Sequence, residues 1–469
     1  MKNDEIQKRT DLALEAFANK FVKKGEYSDA LLLLKLLVER GPDRAKVIAD
    51  MIDCAIKGKM QSECINLLAA IAHENPDVYM INSMLAGFLA TEKRIPESRT
   101  YAGIAARIRP LSPAVTRKPK MHILVLQSIA AGGYHYSYKR RICSIAGVNE
   151  LHTLLDPENI SFSRLLVDDL DSVFRILDDL SEYDVIYNSI SDPSLYEAAL
   201  YHAAVICDRL DIPVVNDPRK VLDLKRELFY QKFSSCDEII APASVYLPAE
   251  KSSAAGISER IKSDASLTPP VIVRAAGFQG GRFMRLVEDA DEDIDIYKEN
   301  GVHIIKYADV GFADERAPGM TFYPKYRAIF VNGKLFPAHT FSADYFNVHK
   351  WNSIPVMEKY PWLNDREIAY LENPAACFRE GRWEHLEKLL STLGLDYVGV
   401  DFAPSAREED LGKLVIFECN PSMRNRLTQL PEGDRVQQQW KKIVTEAHYC
   451  LCERAGIAPW DFNIRRGLK

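Results

Sequence analysis

The sequence predicts a multidomain α+β chain, with an all-α array of helix pairs at the front, an α/β domain in the middle and a larger mixed domain built on antiparallel hairpins behind. Three observations predict it. Proline recurs at Pro42, Pro76 and Pro110, 34 residues apart each time, through a stretch whose apolar residues keep only helical spacing. Strand and helix patterns then alternate from Met121 to about Asn216. Beyond them, apolar runs flank Asn332-Gly333 and a polar turn before Leu414, which are hairpin signals.

In the first third, Leu12, Phe17 and Phe21, then Leu31, Leu34, Leu37 and Val38, mark the faces of successive helices. Ala18, Ile52 and Ala86 share one position of the 34-residue register, and Ala30, Cys64 and Ser98 supply the small position where two helices approach closely. Phe17, Met51 and Leu85, with Phe21, Ala55 and Leu89, are expected to supply the bulkier inward face. The array resembles tetratricopeptide repeats, although no tryptophan or glycine hallmark stands at the first-helix positions. That resemblance implies a surface for a peptide or a partner protein.

Composition narrows the function. The 469 residues are 47% hydrophobic and 27% charged, with 60 Lys and Arg against 66 Asp and Glu. A net charge of -6 without a long basic run argues against nucleic acid or an anionic membrane as partner. No apolar leader and no run of 18 apolar residues is present, so a cytoplasmic protein is expected. Nine cysteines without C-x-x-C pairs fit reduced, mostly buried thiols better than disulfides or zinc.

Leu111 to Lys120, with its prolines, reads as a linker. Met121 to Leu126 is a buried strand, and Gly132-Gly133 is read as a turn that faces substrate. A helix over 163–180, a strand over 184–188, a helix over 194–210 and a strand over 213–216 follow. The expected domains are therefore 1–114, 115–213 and 214–455, with a lid at about 237–303 and a tail over 456–469.

The most informative segment runs from Leu395 to Asn425. Its two strand patterns place Asp401 at the end of one strand, and Glu418 and Asn420 on one face of the other, with Cys419 turned toward the core. Hard oxygen ligands converging from neighbouring strands suit Mg²⁺. This arrangement resembles the metal-binding end of the ATP-grasp fold, which implies that Asp401, Glu418 and Asn420 hold magnesium against nucleotide phosphates. It also implies that Ser422 and Arg424, beside Arg426, bind the carboxylate-bearing substrate.

The same resemblance organises the residues upstream into an α/β pre-ATP-grasp domain and a two-subdomain ATP-grasp fold. Pro270 to Arg274 is a strand ending in a cation, and Gly277, Gly280 and Gly281 give the loop after it freedom to approach phosphates. The resemblance assigns Arg274 to the α and β phosphates. Asn216 to Phe233 resembles the family's Asn-x-Pro segment and its basic helix residue; Lys225 and Arg226 compete for that role, and likeness to repeat-fused relatives favours Arg226. Lys306 and Tyr307 would present backbone groups to adenine, and Asp309 would take the ribose hydroxyls. Arg327 would act catalytically, neutralising charge on the transferring phosphoryl group and on the tetrahedral intermediate. His339 and His349 are assigned no catalytic role. Three departures stand out: arginine at 274 where lysine is commoner, a Ser/Ala-rich lid segment over 252–270 without a clear helix, and Ile-Lys in the hinge where many relatives carry an acid.

The resemblance implies an ATP- and Mg²⁺-dependent carboxylate–amine ligase acting through an acyl phosphate with release of ADP. Its substrates would be a small carboxylate, an amino acid or peptide, and an amine, with the repeats presenting a peptide and a homodimer as the expected assembly. A kinase of the same fold and a nucleotide-binding scaffold are the alternatives.

Overall fold

The computed structural model describes residues 2–114, 118–131, 134–145, 155–278, 281, 283–421, 430–431, 433–462 and 464. The chain divides into two compact units, one of residues 1–114, 125–148 and 163–182, the other of 115–124, 149–162 and 183–469. The expected break after residue 114 thus closes only the first segment of the first unit.

Six helices open the first unit: α1 (Lys2–Lys24), α2 (Tyr27–Arg40), α3 (Ala45–Gly58), α4 (Gln61–Glu74), α5 (Tyr79–Thr91) and α6 (Ile95–Ile108). Each turns an apolar stripe inward, and Leu31, Leu37, Ile48, Met51, Leu68, Leu85 and Phe88 form a continuous core. The small positions behave as the 34-residue register predicts. Ala30 and Cys64 are fully buried, and Ser98 Oγ donates to the Ala86 carbonyl at 2.8 Å. Phe17 and Leu12 do not: they are 55% and 63% exposed. Met51 and Leu85, which share the register of Phe17, are fully buried.

The stretch read as a linker is partly strand. Leu111–Ser112 (β1) pairs antiparallel with Leu165 and Arg164 of Ile160–Leu166 (β5), and the Lys120 amide donates to the Asn159 carbonyl at 2.7 Å. The helix expected over 163–180 is likewise corrected. Its first residues extend β5, and helix is left to Leu170–Phe174, capped by Asp169, whose carboxylate accepts from the Ser172 amide at 2.9 Å, and to a 3-10 turn over Leu177–Leu180. A hairpin of Tyr134–Ser137 (β3) and Ile142–Ile145 (β4) completes this unit. Met121–Gln127 (β2) is a strand as expected, and Gly132-Gly133 lies outside the described residues.

In the second unit Val185–Asn188 (β6) runs parallel to Val214–Val215 (β7), with helix Glu197–Leu210 between them. Two further sheets follow. The smaller is antiparallel, in the order Met284–Val287 (β11), Val271–Ala275 (β10), Val302–Lys306 (β12), Ser244–Leu247 (β9). Against expectation its connections include a helix, Ala254–Ser263, which Ser253 caps by accepting from the Gly256 amide at 3.1 Å. The larger sheet is ordered Phe312–Ala313 (β13), Thr321–Val331 (β14), Tyr397–Pro404 (β16), Leu414–Asn420 (β17), Ile239–Ile240 (β8), with Lys334–Ala343 (β15) also on β14. Asn332 and Gly333 turn β14 into β15 with φ of 51° and 78°, both left-handed as a two-residue hairpin turn requires.

Asn216 fixes the start of β16. It is fully buried at φ 61°, its side-chain NH₂ donates to the Tyr397 carbonyl at 2.8 Å, and its Oδ1 accepts from the amides of Asp396 and Tyr397. At the other end of the unit, Trp460 donates through its indole to Asp156 at 3.0 Å and packs edge-on to the buried His448 ring. All nine cysteines are free thiols, and five are buried. No helix among the described residues is long and apolar enough to cross a membrane.

Candidate active site

Three neighbouring strands of the larger sheet bring the chemistry together. Cross-strand register sets Arg327 of β14 opposite Asp401 of β16, and Asp401 opposite Glu418 of β17, so the three side chains share one face. Asn420 pairs with Gly399 two positions along and falls on that face too, as the alternation predicts. A register shift between Asp401 and Phe402 interrupts the ladder beside the row, and Asp401 stands inside β16, not at its end.

Arg327 holds Asp401 bidentately, Nε on Oδ1 at 2.6 Å and a terminal nitrogen on Oδ2 at 2.7 Å, while Lys325 Nζ lies 3.6 Å from Oδ2. The Asp401 side chain is only 3% exposed. Burial alone would raise its pKa, but the charges of Arg327 and Lys325 outweigh it and hold the carboxyl well below the usual carboxylate range. Arg327 responds reciprocally: burial pulls it down, and Asp401 more than restores it.

Glu418 has cationic neighbours of its own. Arg226 donates one bond to the Phe417 carbonyl and one to Glu418 Oε2, both at 2.6 Å, and Arg274 lies 3.9 Å from the same oxygen. Of the two candidates in that helix, Arg226 reaches the site, and Lys225 pairs with Glu197 at 2.8 Å. Burial works against the charged form of Glu418, Arg226 overcomes it, and the pKa is lowered. Arg274 is pushed down to about 10 by burial and by Arg226. It also donates to the Phe278 carbonyl at 2.7 Å, closing the turn that begins the glycine loop.

These groups line a cleft of about 1070 Å³ that contains Ile272, Met284, Ile305, Lys306, Tyr307, Ala308 and Val310 besides the charged residues. Lys306 and Tyr307 are therefore in the wall, but not in the expected manner. Their amides donate to the carbonyls of Ala243 and Pro270 at 2.8 and 3.1 Å, and Lys306 Nζ donates to the Thr268 carbonyl and, at 3.2 Å, to its hydroxyl. Asp309 is turned to local structure, accepting from the Gly311 amide at 2.9 Å and the Tyr307 hydroxyl at 3.3 Å, and it does not line the cleft. Cys419 is also corrected: it is half-buried and lines a neighbouring cleft of about 800 Å³ with Asp192, Ser244 and His303.

Two residues given no role by sequence reasoning belong here. Lys325 stands two positions before Arg327 and so shares its face, a signal present in the alternation. His303 pairs across the ladder with Arg274 and is 5% exposed. Burial, then Arg226 and Arg274, push its pKa down to about 3, so the ring is neutral at physiological pH.

The glycine loop is held from outside by Asn347, whose side-chain NH₂ donates to the Gly281 carbonyl at 2.9 Å. Gly281 has φ 71°, and a Cβ there would meet Asn347 Oδ1 at 2.1 Å. Gly281→Ala is expected to cost about 1–2 kcal/mol of stability from the left-handed backbone, and Asn347→Ala about 1 kcal/mol. Denaturant titration of both singles and the double variant checks the latch, because two changes at one contact should sum to less than their parts. Full additivity would show that the added Cβ does not disturb Asn347, and an Asn347→Ala protein as stable as the unaltered chain would show that the contact carries no energy. Gly277 is described nearby, while Gly280, Ser422, Arg424 and Arg426 lie outside the described residues.

Among the described residues no group of three or more His, Cys, Asp and Glu side chains is placed to hold a metal. The donor set of Asp401, Glu418 and Asn420, two carboxylates and an amide on one sheet face, nevertheless suits a hard divalent cation that completes its shell with water and phosphate oxygens.

No family model matches the chain, and no curated protein matches it. Among solved structures it is similar to carboxyaminoimidazole ribonucleotide synthase from Aspergillus clavatus complexed with ATP, at 11% identity over 69% of this chain and 77% of that one, with a TM-score of 0.40. It is also similar to the D-alanine-D-alanine ligase from Coxiella burnetii, at 10% identity, 72% and 95% coverage and a TM-score of 0.36. The L-amino acid ligase from Bacillus licheniformis matches at 10% identity, 73% and 78% coverage and a TM-score of 0.35. Likenesses of this size assign no function, and the functional reading rests on the chain's own side chains.

Proposed function

We propose that the chain is an ATP-dependent carboxylate–amine ligase of the ATP-grasp type. The observation that carries this is charge: Arg226, Arg274, Lys306, Lys325 and Arg327 line the larger cleft against two carboxylates, Asp401 and Glu418. That excess of positive charge suits a polyphosphate, and the apolar wall of Ile272, Met284, Ile305 and Val310 suits a base.

In this reading Asp401, Glu418 and Asn420 would hold Mg²⁺, which would supply charge neutralisation to the nucleotide phosphates. Arg226 and Arg274 fix the phosphate chain, and the donation from Arg274 to the Phe278 carbonyl sets the glycine loop beside it. A substrate carboxylate oxygen attacks the γ-phosphorus, ADP leaves, and the amine then attacks the acyl carbon and expels phosphate. Arg327, already desolvated and oriented by Asp401, presents a fixed guanidinium to the charge that develops on the acyl oxygen. His303 is kept neutral and adds no charge to the site.

The experiment is product analysis with hydroxylamine present across a panel of amino acids, peptides and other small carboxylates. A ligase yields a hydroxamate and ADP in equal amounts with its correct carboxylate. ADP with a stable phosphoester and no hydroxamate identifies a kinase. ATP binding without substrate-stimulated hydrolysis identifies a scaffold, and AMP with pyrophosphate rules the acyl-phosphate route out.

A further inference from the structure

The first unit carries an interface that the proposed chemistry does not use. Helices α3 and α5 are the first members of their pairs and pack side by side, and the β3–β4 hairpin lies on α5 and reaches α3 through side chains. Tyr136, 4% exposed, enters the helical core edge-on to Phe88 with ring centres 6.4 Å apart, and Tyr134 packs among Ala86, Ala102, Ala105 and Ala106. Arg141 at the hairpin's turn is ion-paired to both Asp50 and Asp53 of α3, its Nε 2.6 Å from Asp53 Oδ2. Tyr136 donates its hydroxyl to Asp53 at 3.4 Å, and Cys143 donates its thiol to the Ser83 carbonyl at 3.1 Å.

Helix α5 is shaped for this contact. At Gly87 a Cβ would sit 2.5 Å from Cys143 Sγ and 3.0 Å from the Tyr136 amide nitrogen, so a side chain there would displace the hairpin. Thr91 Oγ1 donates to the Gly87 carbonyl at 2.9 Å and lies 3.4 Å from the Tyr136 carbonyl. The face therefore offers an apolar socket for an aromatic ring, a glycine window against which a strand backbone lies, and two acids one helical turn apart for a guanidinium. These are the elements of a peptide-binding groove. A hairpin with four-residue strands is marginal by itself, so its place here is set by the helices beneath it.

We propose that the face of α3 and α5 is a peptide-recognition groove whose resident ligand is the chain's own β3–β4 hairpin. A partner peptide with a tyrosine for the socket and an arginine for Asp50 and Asp53 binds there by displacing it. The tethered hairpin competes at an effective concentration in the millimolar range, so an external peptide gains access only when the hairpin is released.

The test is titration of a labelled peptide of residues 134–145 into the full-length chain carrying Tyr136→Ala and Arg141→Ala, with the unaltered chain alongside. With helical circular dichroism preserved, the variant is expected to bind the peptide at least tenfold more tightly than the unaltered chain, and adding Asp50→Asn and Asp53→Asn should remove that binding. A folded variant that ignores the peptide, a difference under tenfold, or binding that survives the loss of both acids overturns the proposal. Should the variant lose its helical signal, amide exchange in the unaltered chain decides. β3 and β4 exchanging at least tenfold faster than the buried amides of α5 supports a releasable ligand, and any smaller difference makes the hairpin a permanent part of the core.

Discussion

Replacing Arg327 with alanine should destabilise the second unit by about 3–5 kcal/mol, because it leaves Asp401 a buried carboxylate without its bidentate partner. Lys325, 3.6 Å away, compensates only in part. The double variant Arg327→Ala, Asp401→Asn should regain much of that loss in denaturant titrations, since the unpaired charge is gone. Turnover should fall about 100- to 1000-fold in Arg327→Ala, as an electrostatic stabiliser of the reaction is absent, and should fall further in the double variant, which also lacks the proposed metal ligand Asp401. The pair also fixes a pH dependence. The Asp401 carboxyl is depressed in the folded state, so its contribution is fully present above the unfolded value of about 4 and is lost as pH falls through the lower folded value. Unaltered protein should therefore lose stability below about pH 4, and the double variant should lose less over that range. An Arg327→Ala protein as stable as the unaltered chain would sink the buried-pair account.

The second large effect is at Glu418. Glu418→Gln removes the charge that Arg226 and Arg274 share and leaves two guanidinium groups facing each other, at a cost of about 3–5 kcal/mol. Glu418 therefore holds the fold through its ion pair as well as facing the cleft. Asn420→Ala carries no charge change and should cost far less stability while also abolishing turnover if it is a metal ligand. Thermal unfolding separates the two variants whatever the activity. If both lose stability equally, the Arg226–Glu418 pair is not what holds this corner; if both keep full turnover, the metal assignment is wrong.

Period-two alternation and turn chemistry make the strands of the site legible in the sequence. They assign Arg327, Asp401, Glu418 and Asn420 to their strands, because alternation fixes the face that each side chain takes. Partners are not legible. Arg226 and Glu418 are 192 positions apart, and nothing local to either says that they meet. The helix expected over 163–180 fails for a different reason: Arg164 and Leu165 near its start pair with β1, so a tertiary pairing overrides a local period. The lid helix escapes a reading by composition because a Ser/Ala-rich segment looks unstructured until Ser253 is recognised as its cap. Asp309 has the chemistry of a ribose ligand, but a carboxylate followed two residues later by a free amide closes its own turn first. Phe17 shows that a repeat register does not by itself decide burial, since Met51 and Leu85 at the same register position are buried and Phe17 is not.

Asn216 has a consequence for how far this scaffold can drift. Its carboxamide takes the place of a peptide unit, giving one donor and two acceptor contacts to Asp396 and to Tyr397 at the start of β16, while its own amide donates to the Asp396 carboxylate at 2.8 Å. Aspartate lacks the donor, glutamine sets the group one carbon too far out, and glycine, which alone takes φ 61° more easily, lacks the group. The position is thus determined twice over, by backbone conformation and by hydrogen-bond valence, and the twenty-letter alphabet offers a single solution. The strand that carries Asp401 is aligned by a residue that never meets a ligand, so its replacement would misplace the chemistry from 185 positions away in the sequence.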